Sequence, residues 1–479
     1  MAKILIIGAT GYVGGRLVSR LISGKHQIRC LVRNKRKALG RGWNGIEIFE
    51  GDVLKPETLT PALAGIDIAY YLVHSMMAGG GDFESLDRRA AGNMVEACQL
   101  NNVKRIIYLG GLGKRDIPQS AHLKSRHEVG DILRSGETPV TEFRAAVIVG
   151  SGSLSFEIIH HLVNRLPVMI CPRWVYTRTQ PIAVDDVLRY LEDSIEKPES
   201  VGKVLDIGES EVLTYGDMML TVGKVLGLKR LLIQVPVLTP KLSSYWINLV
   251  TPIPAQVARP LIEGLKYETV RENFEADHIF GFEPVGFEEA VRRAFKMINA
   301  HNIESTWTDA SRVTDSSAVD PSHLFSDRRT HDINAPAETV FRVISSAGGD
   351  NGWFYASWLW KLRGFIDRQL GGVGYRIGRR HPQKISIGET IDFWRVEDYI
   401  PDSKLSLRAE MKVWGRAWLK FEVKPIDKSR SRMVQTAQYY PKGLWGLFYW
   451  YSVLPLHKMV FRGMSRAIKR KAEEQNVSR

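Results

Sequence analysis

The chain opens with a strand that runs directly into a glycine-rich turn and a helix: KILII, then GATGYVGG, then RLVSRLI. Gly8, Gly11 and Gly14 stand three residues apart, with Thr10, Tyr12 and Val13 between them. This spacing lets backbone approach a pyrophosphate, whose charge rests on free N–H groups at the helix N-terminus. Glycines so placed also serve tight helix–strand packing. The order strand, turn, helix is what favours a nucleotide.

Nineteen residues after Gly14 the second strand ends in VRNKRK. An acidic residue there would accept hydrogen bonds from a ribose 2′-hydroxyl, whereas Arg33, with Lys35 and Arg36 nearby, favours a 2′-phosphate. The expected cofactor is therefore NADP in preference to NAD. Asp52, followed by Val53, closes the third strand in EGDVLKPETL and serves either the adenine or the turn itself. His74, in YYLVHSM at the end of the fourth strand, falls where a crevice ligand sits.

Six β-branched runs alternate with amphipathic helical stretches over residues 1 to about 200: KILIIGA, QIRCLV, IEIFEGD, IDIAYYLV, KRIIYLGG and VTEFRAAVIVG. Alternation of this kind predicts right-handed βαβ units. The expected fold class is α/β, a Rossmann-like doubly wound parallel sheet, followed by a second domain of α+β kind. Residues 1–300 form the first domain, with prolines breaking the pattern in a smaller lobe over about 201–300 that ends in the helical FEEAVRRAFKMI. Polar residues 301–324 read as a linker, and 325–479 as the second domain.

The formal net charge of +14 favours acidic partners without choosing among them. Cys30, Cys98 and Cys171 have no paired spacing, and the adjacent His160 and His161 lack H-E-x-x-H context, so no disulfide framework and no metal are expected. No helix-turn-helix, zinc-finger or RNP-like motif is present, which argues against nucleic acid. The first residues carry no apolar run with a cleavage site, so the expected location is cytoplasmic. Oligomeric state is not expressed in the sequence.

The G-x-x-G-x-x-G spacing, the V-R-N end of strand two, E-G-D-V after strand three and PIAVDDVL over residues 181–188 resemble the atypical short-chain dehydrogenase/reductases, the NmrA-like group above all. The resemblance covers about residues 1–300. SGSLSFEIIHHL followed by LPVMICPRWV is closer still to a bacterial group in which such a half is fused to a further C-terminal domain. It implies a reductase with Ser, Tyr and Lys, the last two as Y-x-x-x-K on the helix after strand five. Here strand five ends YLGGLG, placing Gly110 and Gly111 near the serine position, and the Y-x-x-x-K positions read His122-Leu123-Lys124-Ser125-Arg126. All three residues of the triad are missing.

Helical periodicity puts His122, Ser125 and Arg126 on one stripe with Val129, Ile132 and Leu133, while Lys124, Glu128 and Asp131 face away. His122 is the candidate catalytic residue, as a proton shuttle. Cofactor contact, or a satisfied polar group at a helix start, explains it as well. Arg126 stays charged and relays no proton, but its planar fork suits ribose or phosphate oxygens. Ser153 and Glu157 in SGSLSFE either bind a polar group or simply start a helix.

Eight of the twelve tryptophans lie between Trp353 and Trp450. DINAPAETVFRVI reads as a strand entering a helix, and GYRIGR, ETIDFWRVEDYI, SKLSLRAEM, RAWLKFEVKP and RMVQTAQYYP alternate as antiparallel strands do. With a long last helix over about 443–474, this order resembles the helix-grip fold of the START and polyketide-cyclase (SRPBCC) superfamily, which implies an apolar small molecule in the C-terminal domain, such as a lipid, quinone or polyketide. Trp394, Trp414, Trp418, Trp445 and Trp450 are core residues on the plainer reading. GLWGLFYWYSVLPL, residues 443–456, is shorter than the roughly 20 residues that cross a bilayer. Lys458, Arg462, Arg466, Lys469, Arg470 and Lys471 follow it, so peripheral contact with the inner face of the cell membrane is a further expectation. The function expected is an atypical oxidoreductase acting on an apolar carbonyl or quinone-like compound. The alternatives are a non-catalytic NADP(H)-sensing regulator of NmrA type and a lipid or quinone carrier.

Overall fold

The computed structural model describes residues 1–73, 83–114, 120–235, 251, 253, 255–300, 303–310, 324–370, 372–374, 381 and 385–477. His74 and nearly all of the strand read in GYRIGR lie outside these residues. The chain divides into two compact units, residues 1–251 with 255–311 and residues 252–254 with 312–479.

In unit 1 the six expected strands are β1 (Lys3–Ile7), β2 (Gln27–Val32), β3 (Glu47–Glu50), β4 (Ile68–Tyr71), β5 (Arg105–Gly111) and β6 (Val140–Ala145). A seventh, β7 (Val204–Ile207), comes from the stretch read as a smaller lobe. It belongs to the main sheet because VLDI pairs in parallel with β6 and buries its last three residues. The order is β3-β2-β1-β4-β5-β6-β7, parallel throughout. Strand β1 is apolar on both faces because both are covered: Ile4 and Ile6 join the cluster of Leu17 and Val18, while Leu5 and Ile7 join that of Leu59 and Leu63. Strand order reverses between β1 and β4, which sets a ligand crevice at their carboxyl ends.

The helices around this sheet are α1 (Tyr12–Leu21), α2 (Lys35–Leu39), α3 (Pro56–Leu63), α4 (Phe83–Leu100), α5 (Ala121–Arg134), α6 (Leu154–Arg165) and α7 (Val184–Asp193). Four more helices belong to the same unit: α8 (Tyr215–Val225), α9 (Ala255–Gly264), α10 (Glu275–Phe280) and α11 (Phe287–Asn299). Residues 303–310, within the stretch read as a linker, are built into unit 1. Ser305 and Asp309 are buried, and the Trp307 N–H donates to Gly152 O at 2.9 Å.

Unit 2 is an antiparallel sheet of β8 (Phe325–Ile333), β9 (Thr390–Ile391), β10 (Trp394–Ile400), β11 (Lys404–Ala409), β12 (Gly415–Pro425) and β13 (Ser431–Pro441), in the order β8-β13-β12-β11-β10-β9. Its helices are α12 (Ala337–Ser345), α13 (Ser357–Gln369) and α14 (Gly443–Val477). Val460, Phe461, Met464, Ile468 and Ala472 form the buried stripe of α14 and join the same core as Leu419, Phe421 and Met433 of the sheet. ETIDFWRVEDYI is a hairpin rather than one strand. Asp392 takes a left-handed φ of 54° there, and its carboxylate accepts the indole N–H of fully buried Trp353 at 2.8 Å.

Candidate functional site

The glycine turn is fixed by close approach. Gly8 has φ +90°, and a Cβ there would lie 2.6 Å from Leu72 O; a Cβ on Gly14 would lie 2.2 Å from Gly8 O. Helix α1 then starts at Tyr12 with Gly11 as its N-cap, no side chain capping it and no acidic residue in its first turn. Its N-terminus is thus left for an anion. Tyr12 itself is a core group: burial pushes its hydroxyl well above the ordinary range, against a smaller opposing effect of Arg16.

The cations near the end of β2 divide into two sets. Arg33, Lys35 and Arg36 are exposed. Lys37 and Arg41 are drawn to the 303–310 segment: Lys37 Nζ donates to Asp309 O, and Arg41 pairs with the buried Asp309 carboxylate at 2.8 Å while also donating to Thr10 O at 3.3 Å. Arg16, buried under the Tyr12 ring, donates to Ser305 Oγ at 3.0 Å and Ser151 O at 2.7 Å. The segment therefore straps the α1–α2 side of the turn. Nothing in its polar composition signals this, because the partners lie some 290 residues away in sequence.

The remaining expected residues are placed as follows. Asp52 makes the turn, its Oδ1 accepting from Leu54 N at 3.1 Å, and Val53 is buried, its carbonyl accepting from Asn93 at 2.8 Å. Ser153 donates to Ile148 O at 2.6 Å, and Glu157 accepts the Trp307 indole N–H at 2.7 Å.

Helix α5 is capped by Ser120 and runs along β5. Ser125 is buried, donating to Asp87 at 3.1 Å, and His122 and Arg126 are half-buried. Arg126 Nη1 donates to Leu109 O at 3.3 Å, its own carbonyl accepts from Tyr108, and its Nε is buried with no hydrogen bond. The reading missed His127: it is buried, and its Nε2 lies 3.0 Å from Gly111 O. A Cβ at Gly111 would lie 2.8 Å from Leu123 Cδ1, so a serine there would require the Leu123 side chain to shift. The spacing on α5 contained the signal for His127, one turn after buried Leu123.

Burial, with Arg126 adding to it, holds His122 down to about 3, which favours the uncharged ring at physiological pH. His161 is likewise held at about 3 by burial with His160 and Arg165, and in unit 2 burial lowers His457 to about 4 although Asp327 pulls the other way. The unfolded chain protonates these rings near 6.5 and the folded chain does not. Stability present above pH 6.5 is therefore lost as pH falls below it, by at most about 1.4 kcal/mol per pH unit for each ring. Urea midpoints should drop between about pH 7.5 and pH 5.5, and the double change His122→Gln, His161→Gln should flatten the drop. Equal midpoints at both pH values would contradict this.

Residues 8–155 match the family model described as NAD(P)H-binding. They form a Rossmann-like domain of the NAD(P)H-binding kind. This domain is similar to photosystem II assembly factor Ycf39 of Trieres chinensis, 27% identical over 207 residues, which are 43% of this chain and 63% of that one. It is also similar to the NAD(P)H azoreductase of Xenophilus azovorans, 29% identical over 110 residues, 23% of this chain and 36% of that one. The Citrobacter sp. triphenylmethane reductase complexed with NADP(H) shares the fold, with a TM-score of 0.51 at 19% identity, covering 61% of this chain and 99% of its own. Residues 321–464 match a second model, described as a protein of unknown function (DUF2867).

The described residues fit a dinucleotide. The Gly8–Gly14 cradle and the uncapped start of α1 would take the pyrophosphate, and the unpaired Nε of Arg126 a ribose or phosphate oxygen.

Proposed function

We propose that the protein is an NADPH-dependent reductase whose acceptor is an apolar, conjugated, quinone-like compound. The observation that carries this is α5, where a neutral histidine and an arginine stand in place of the tyrosine and lysine. A simple ketone needs a proton delivered as it is reduced, whereas a quinone-like acceptor delocalises the incoming charge and takes its proton from water afterwards. NADPH, when bound, supplies the hydride. Arg126 holds the cofactor, and His122 shapes the cleft as an uncharged group. Unit 2 supports an apolar acceptor as well, through a cavity of about 170 Å³ walled by Trp360, Phe393, Trp394 and Trp450. That volume suits one aromatic ring, since an engineered apolar cavity of about 150 Å³ binds benzene.

NADPH oxidation should be measured with a panel of quinones and of simple ketones. Turnover with quinones alone is expected, with a rate showing no histidine ionisation between about pH 5 and pH 8. Turnover of ketones, or of neither class, overturns the reading. Arg33→Ser should weaken NADPH by about 10- to 100-fold, the loss of one charge-assisted contact of about 1.5–3 kcal/mol, and leave NADH unchanged.

A sensing role without turnover is favoured by the Asp309 strap. It ties Lys37 and Arg41, beside the turn, to the stretch of chain that leads into the second unit. If neither acceptor class is reduced but NADPH protects residues 303–310 from proteolysis, sensing is the better account.

A further inference from the structure

Unit 2 presents an aromatic surface that its own core does not use. On α13, Trp358, Leu362, Phe365 and Ile366 are all exposed, at spacings that place them on one face. On α14, Leu444, Trp445, Phe448 and Tyr451 are 62–83% exposed, and Leu456 and Met459 continue the same face. The helices are neighbours, with the Arg363 guanidinium 5.9 Å from the Tyr449 ring centre and the Trp360 and Phe461 rings 5.8 Å apart. Single exposed apolar residues are ordinary on a protein surface, but a contiguous aromatic face on two adjoining helices marks a partner.

Charge identifies the partner. Between Asp427 and Glu473 the chain has ten lysines and arginines and no acidic residue. Beyond the aromatic half of α14, its outer face continues as Lys458, Arg462, Arg466 and Arg470, all exposed. The one carboxylate of α13, Asp367, is turned fully inward, where it accepts from Gly374 N at 2.9 Å and Lys412 N at 2.7 Å. Among the described residues no helix is long and apolar enough to cross a membrane. A Trp/Tyr/Phe face bordered by cations and free of exposed acids is the composition of a helix lying at an anionic bilayer surface.

We propose that the outer faces of α13 and the first half of α14 dock on an anionic lipid bilayer. The apolar side chains enter the headgroup–acyl boundary, and the basic second half of α14 lies among the lipid phosphates. This surface is independent of the reductase reading. It bears on substrate delivery because the inner faces of the same helices wall the cavity, through Leu359 and Trp360 on α13 and Tyr449, Trp450 and Val453 on α14. An apolar molecule dissolved in the bilayer would meet the protein at these two helices.

The test is flotation of the full chain with vesicles of phosphatidylcholine alone and of equal parts phosphatidylcholine and phosphatidylglycerol. Binding at least about tenfold stronger to the anionic vesicles, and falling with added salt, is expected. The variant Trp445→Ser, Phe448→Ser, Tyr451→Ser should lose most of it while keeping the wild-type circular dichroism and NADPH affinity, since all three side chains are solvent-exposed. Brominated lipids should quench tryptophan fluorescence in the wild type more than in this variant. No vesicle binding, equal binding to both lipids, or undiminished binding by the variant overturns the proposal. So does a lipid-free dimer that the variant dissociates, because a second copy of the chain would then be what covers the face.

Discussion

Gly14→Ala is expected to raise the Kd for NADPH by at least about 100-fold, as read by titration of the folded variant. The added Cβ would sit 2.2 Å from Gly8 O and 2.8 Å from Gly8 C, both backbone atoms of the turn, so no side chain can rotate away. The chain must move, and the surface that meets the pyrophosphate moves with it. A loss of that size corresponds to about 2.7 kcal/mol, in keeping with two charge-assisted backbone contacts. Gly15→Ala is the matched control. Its nearest neighbours would be Arg41 Nη1 at 3.3 Å and Ala9 O at 3.4 Å, within a few tenths of an ångström of ordinary contact, so it should leave affinity within about threefold. Equal effects of the two changes would mean that the turn is not the binding surface.

Trp353→Ala should destabilise unit 2 by about 3–5 kcal/mol, seen as an early unfolding transition in urea with NADPH binding retained. Trp353 is fully buried, with the rings of Phe393 and Trp394 each 6.0 Å away and that of Trp360 at 6.1 Å. Its loss leaves a large void and also removes the hydrogen bond that holds the left-handed Asp392 in the hairpin. Trp353→Phe should recover most of the packing and little of the hairpin. A change under about 1 kcal/mol for the alanine variant would show that the aromatic cluster is not the core of this unit.

Local pattern carried the parallel sheet. KILII, the glycine spacing and the alternation of six apolar runs with amphipathic helices each say where a strand lies and which face is buried, and β1 to β6 follow them. Long-range pairing was not legible. VLDI is too short to announce itself as a seventh sheet strand, and the polar Ser305 and Asp309 of residues 303–310 bond to distant groups rather than to water. The tryptophans show the same division. Trp394, Trp418 and Trp450 are buried as expected, but Trp445 is 72% exposed and Trp414 half-exposed, corrections that follow from which face of an element each occupies. Within α5 the stripe placed Ser125 correctly and His122 and Arg126 at its border, yet passed over His127, which packs on the end of β5. Composition indicates how many aromatics a unit must house; only the fold says which of them reach water.

Calorimetric titration of the full chain with NADPH and with NADH tests the central claim most directly. One NADPH per chain, bound at least about tenfold more tightly than NADH and reduced to NADH-like affinity by Arg33→Ser, is the expected result. Failure to bind either nucleotide, or tighter binding of NADH, would contradict it.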